Sequence, residues 1–150
     1  MTRLKILITC QSDHNLHLAH SLMDDLLAGD YPTTLVVEAV GSMPDFDVWL
    51  ALLDTDSWQL PLFKQLISLI ENQTRTMICL PVQDLTLPQT LSGCTSINFR
   101  DVQLYPDSAP HLSLQELHEQ LVNIGKLFDK IATLQKQIDD RIYRKNKKTL

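Results

Sequence analysis

The chain alternates short apolar runs with amphipathic stretches. LKILITC (4–10) is rich in Ile and Leu and bounded by polar residues, the pattern of a strand buried on both faces. Ser12 and Asp13 follow as an N-cap and a first-turn acid. Leu16, Ala19, Leu22, Met23, Leu26 and Leu27 then recur at helical spacing, until Gly29 and Tyr31-Pro32 end the element. TTLVVEAV (33–40) is rich in β-branched residues and reads as a second strand, and FDVWLALL (46–53), apolar on both faces, as a third. Only GSMPD lies between them, whereas a parallel crossover takes a dozen residues or more. Either the strands are shorter than their apolar runs, or this pair breaks the wound pattern.

Leu62, Phe63, Leu66, Ile67 and Ile70 form the stripe of a second helix. TMICLPV (76–82) is a fourth strand, QDLTLPQTLSG (83–93) a loop with one helical turn, and TSINF (95–99) a short fifth strand. The last element opens with the capping box Ser113-x-x-Glu116. Leu114, Leu117, Leu121, Ile124, Phe128, Ile131, Leu134, Ile138 and Ile142 then step by three or four, well past the ~11–12 residues of an average helix. Its first half is expected to cover the sheet. Its second half, with Leu127, Ile131, Leu134 and Ile138, is expected to project or to find a partner in coiled-coil fashion. Strands alternating with helices predict a flavodoxin-like, doubly wound α/β fold with a mostly parallel five-stranded sheet and a long C-terminal helix. Residues 1–112 form its core, 113–143 the helix and 144–150 a basic tail.

At 150 residues and 44 % hydrophobic, one domain with its own core is expected. The net charge of −5 is uneven: Arg141, Arg144, Lys145, Lys147 and Lys148 fall in the last ten residues, which hold no acid. With those five of 13 basic residues set aside, 8 remain against 18 acidic ones, a net −10 for residues 1–140. Such a body repels nucleic acid and anionic membrane, and only the tail has the charge to touch either weakly. Cys10, Cys79 and Cys94 are an odd set without metal spacing, read as buried free thiols in a reducing compartment. The first apolar run breaks too early for a signal peptide, and no run reaches the ~20 residues of a membrane helix, so a cytoplasmic location is expected.

In open α/β sheets, ligands collect beyond the carboxyl ends of the strands. Asp13, Glu38, Asp54, Asp56 and Asp84 all map there, a set suited to Mg²⁺ or to a raised carboxylate pKa; the plain alternative is solvated loop acids and helix caps. His14, His17 and His20 recur every three residues on the first helix, but the outer two diverge around the axis, which favours a solvated face over a metal site. CQSDHN holds no glycine-rich phosphate loop, and neither Gly-x-Ser-x-Gly nor Cys-x-x-Cys occurs.

Three segments carry a resemblance. ILITCQSDHNLHLAHSLMDDLLA, DVWLALLDTDSWQLPLFKQLISLI and TMICLPVQDLTLPQTLSGCTSINFRD are similar, in that order, to pieces of bacterial TIR (Toll/interleukin-receptor) domains. These are the first strand and helix, the strand and Ser-x-Trp helix that follow it, and a strand ending Ile-Pro-Val that leads through a Leu-Pro segment to Ile-Asp-Phe-Arg. The resemblance covers about two thirds of the chain and implies a signalling or effector-associated module. NAD-cleaving members carry a glutamate four residues beyond a tryptophan on the helix after the third-strand loop. Laid onto this chain, the motif puts the tryptophan at Leu62 and the glutamate at Leu66; counted from Trp58, the glutamate falls on Leu62. Either register gives leucine, so the resemblance implies a catalytically silent domain without cofactor that acts through a protein partner or self-association. Ser12, Asp13, Asp54, Asp56, Ser57 and Trp58 are then the candidate ligand or partner surface. The alternative is a divergent NAD-cleaving nucleosidase with a displaced acid, Glu38 or Glu71. A second alternative follows from a resemblance of FDVWLALLD to the phospho-acceptor strand of receiver domains, with Asp54 as the acceptor: a pseudo-receiver that dimerises through its last helix.

Overall fold

The computed structural model describes residues 4–10, 15–38, 41, 44–54, 57, 61–72, 76–83, 86, 89–91, 94–100 and 112–148, and the side chains of all of these except 69–72, 90 and 146–148. The elements are β1 (Ile6–Thr9), α1 (Leu16–Ala28), β2 (Thr33–Val36), β3 (Val48–Leu53), α2 (Pro61–Asn72), β4 (Thr76–Pro81), β5 (Thr95–Ser96) and α3 (Leu112–Lys148). The strands form one sheet in the order β2-β1-β3-β4-β5, and every pairing is parallel. This is the flavodoxin-like α/β architecture that the alternation of strands and helices predicts. Among the described residues, no helix is long and apolar enough to cross a membrane.

Alternation along the strands divides the core in two. Ile6 and Ile8, Val48, Leu50 and Leu52, and Ile78 and Leu80 face one side, where Ala19, Leu22 and Leu26 of α1 and Leu114, Leu117 and Leu121 of α3 cover them. Leu7, Val36, Trp49, Ala51, Leu53, Met77 and Cys79 face the other, under Leu62, Phe63 and Leu66 of α2. All six β3 residues are buried, as the central strand of a doubly covered sheet requires. A half-buried bond, 2.6 Å between His118 Nε2 and Asp25 Oδ2, joins α3 to α1 across the first layer.

The question of the second and third strands resolves in favour of shorter strands. The β2 strand ends at Val36, and Val37 and Glu38 are exposed; the rest of the expected strand, 39–40, lies outside the described residues. The β3 strand starts at Val48 rather than at Phe46. Segment 37–47 therefore crosses over β1, and no helix occurs among its described residues. Side chains fill the second face there instead. Phe46 is 2 % exposed, and Trp49 is fully buried with its ring 5.2 Å from Phe63 at 60°. The Trp49 indole N–H donates to Thr9 Oγ1 at 2.8 Å, so a polar handle within an apolar layer is satisfied. The Ser12-Asp13 cap lies outside the described residues; α1 follows Asn15, whose side chain makes no capping hydrogen bond.

The Trp49–Thr9 bond gives a direct test. Trp49→Phe and Thr9→Val each leave a buried group without its partner and should cost about 1–3 kcal/mol in urea unfolding. The double variant should lose about 1 kcal/mol less than the sum, because both singles remove the same bond. Strict additivity would show that the bond contributes nothing.

Candidate functional site

At the carboxyl edge of the sheet, the β3 strand ends in a closed turn. Asp54 N–H donates to Ser57 Oγ at 2.9 Å, the Ser57 hydroxyl donates to Asp54 Oδ1 at 3.0 Å, and Ser57 N–H donates to the Asp54 carbonyl at 3.3 Å. Ser57 is fully buried, so it closes the turn and offers no surface or nucleophile to a ligand. One Asp54 carboxylate oxygen is thereby engaged from within the turn, and half-buried Asp54 forms part of the same local cap. Glu38 is exposed two residues beyond β2, and β1 lies between β2 and the β3 strand that leads to Asp54. Ser12, Asp13, Asp56, Trp58 and Asp84 lie outside the described residues. Glu71 is in the last turn of α2, its side chain likewise outside the description. Among the described residues, no three His, Cys, Asp or Glu side chains gather as a metal ion needs; His17 and His20 are exposed, and His14 is not described.

Leu62 and Leu66, the two positions on which the resemblance would place a glutamate, are both buried in the layer beneath α2 with Trp49 and Cys79. A carboxylate there would sit among apolar side chains, where the charged form is strongly disfavoured. Cys79 lies in the same layer beside Cys94, and all three cysteines are free thiols. Burial first, and the adjacent Cys94 second, push the Cys79 thiol up to about 12. The pairing of Cys79 with Cys94 was not legible in the sequence, because fifteen positions separate them and only the β4–β5 register, Cys79 opposite Ser96, brings them together.

The projecting helix presents the other candidate surface. Leu114, Leu117 and Leu121 are buried, and Ile124 and Phe128 are partly buried against the core. Leu127, Ile131, Leu134, Ile138 and Ile142 are then 49–54 % exposed, and every described side chain from 130 to 145 is exposed. At 3.6 residues per turn the mean direction of the exposed stripe is about 80° from that of the covering residues, so the exposed half lies beside the face that covers the sheet, within a quarter turn of it. A Cβ on Gly125 would come 4.0 Å from Leu4 Cδ1, which places this part of α3 beside the amino edge of the sheet. The projecting half therefore leaves the domain at the end opposite the Asp54 turn. At that amino edge, Lys5 Nζ pairs with Asp45 Oδ2 at 3.1 Å, and Lys5 N–H donates to Asp47 Oδ2 at 2.9 Å. In the sequence Asp45 and Asp47 carry no signal beyond flanking Phe46.

Thiol alkylation under native conditions should modify half-buried Cys94 first, with Cys10 and Cys79 reacting only on unfolding. Because the folded pKa of Cys79 is raised from 9.0, the stability it supports is present below pH 9 and is lost as pH rises toward 12. A Cys79→Ala variant should lack that alkaline fall in unfolding free energy, and an unchanged fall would exclude Cys79 as its source. Comparison with protein-family models, curated proteins and solved structures finds no match to the chain.

Proposed function

We propose that the chain is a TIR-like signalling or effector-associated domain that has no NAD-cleaving chemistry and works through protein contact by the projecting half of α3. The observation that carries this reading is the run of half-exposed Leu127, Ile131, Leu134, Ile138 and Ile142 on a helix with no described cover after Phe128. Most helical stability in proteins comes from packing of an apolar face, and β-branched Ile131, Thr133, Ile138 and Ile142 lower the intrinsic propensity of this segment. Docking of its first half supplies the nucleus, but an apolar seam kept in water gains nothing until a partner covers it.

The magnitudes fit regulated contact. Full burial of such a side chain contributes about 1.5–3 kcal/mol, so removing the exposed half contributes about 1 kcal/mol each. Five residues from each of two like helices give roughly 10 kcal/mol, against an association cost of about 4–15 kcal/mol. The two are of the same size, so such a complex is weak at most and depends on protein concentration. On the catalytic side, the reading draws on Leu66 being a core residue, on Ser57 being closed into its turn, and on β1 lying between the strands that lead to Glu38 and to Asp54.

The direct test is NAD turnover at high protein concentration, with nucleotide-induced thermal stabilisation as a second readout. No turnover and no shift are expected. Turnover that survives Leu66→Ala and is lost in Glu71→Ala would establish the displaced-acid nucleosidase instead.

A further inference from the structure

We infer that the partner of the projecting helix is a second copy of this chain, running antiparallel, so that the basic end of each α3 reaches the acidic amino edge of the other sheet. The inference rests on the proposed contact role of α3 and specifies its partner and geometry. Ile124, Ile131 and Ile138 recur every seven residues, with Leu127 and Leu134 three beyond the first two. That is the Ile/Leu spacing of a two-helix seam over about two heptads, bounded by Ile124, which packs on this chain's own core, and by Arg141 at the next seam position. Such a seven-residue repeat drifts by about 20° per heptad on a straight helix, which a left-handed supercoil takes up.

Two constraints decide the orientation. The exposed seam lies within a quarter turn of the face whose earlier residues, Leu114 to Phe128, lie on this chain's own sheet. In a parallel pair, both sheets would have to occupy the space between the two helices at the same level. An antiparallel pair places them at opposite ends. Charge decides the same way. A parallel pair would bring together two ends carrying Arg141, Arg144 and Lys145, and the flanking seam positions, Lys130, Gln135, Gln137, Ile142 and Arg144 among them, hold no acid to offset this in either orientation. In the antiparallel pair, those basic turns pass the partner's amino edge, where Asp30, Asp45 and Asp47 outnumber Lys5.

The test combines mass, distance and salt on the full chain. Sedimentation should show a concentration-dependent dimer that Ile131→Glu abolishes, with circular dichroism confirming that the variant still folds. With spin labels on Arg144→Cys in a Cys94→Ser background, the rise of 1.5 Å per residue predicts roughly 30 Å between labels in the antiparallel pair. A parallel pair would give about the interhelical distance, roughly 10 Å. Raising salt from about 50 to 500 mM should weaken the dimer by roughly five-fold, since it screens attraction between opposite charges. Arg144→Glu should weaken it by roughly three-fold. A short label distance, or tightening of the dimer by salt or by Arg144→Glu, would overturn the antiparallel arrangement. A monomer at every concentration would overturn the second copy as partner. The NAD measurement judges the non-catalytic reading separately.

Discussion

A parallel sheet has to be covered on both faces, and the rest of this structure follows from how that cover is shared out. On one face the work falls to α1 and to the first turns of α3, with Leu114, Leu117 and Leu121 over Ile8, Leu50 and Ile78. On the other, a single helix, α2, is described, because segment 37–47 shows none among its described residues. Trp49 and Phe46 fill the gap, and Thr9 receives the one indole N–H that this packing would otherwise strand in an apolar layer.

This allocation bears on both candidate sites. With α2 the one helix described over the second face, Leu66 lies between the sheet and the helix and is fully buried. The turn after β3 is closed on itself by Ser57, so the aspartate that ends the strand serves the local backbone first. On the first face, by contrast, there is more helix than sheet. The sheet accepts α3 only as far as Phe128, and the apolar positions beyond have no counterpart in this chain among the described residues.

Much of this was legible in the sequence because it is periodic. The run of Leu and Ile from 114 to 142 pointed to a long last helix, although α3 continues through the basic stretch to Lys148, past the expected end at 143, because a charged stretch without Pro or Gly does not stop a helix. The continuous apolar run of β3 predicted a strand buried on both sides. Strand ends were less legible, because Val37 and Phe46 are apolar for different reasons: the first is exposed past the end of β2, and the second is a cover residue, not a strand residue. The Trp49–Thr9 bond, the His118–Asp25 link and the Cys79–Cys94 neighbourhood depend on register and packing between elements distant in sequence, which no local pattern encodes. For the same reason Asp54 and Ser57 looked like exposed site residues when taken one by one, although together they form a closed turn.

The central claim is that one apolar stripe serves two covers, the chain's own sheet and then a partner. Hydrogen exchange along α3 as a function of protein concentration tests it most directly, since exchange reports local opening residue by residue. Amides of 114–124 should be protected at every concentration, and those of 129–145 should gain protection only as concentration rises and the second cover forms. Exchange in 129–145 that stays fast at all concentrations, or slow at all of them, would contradict the account.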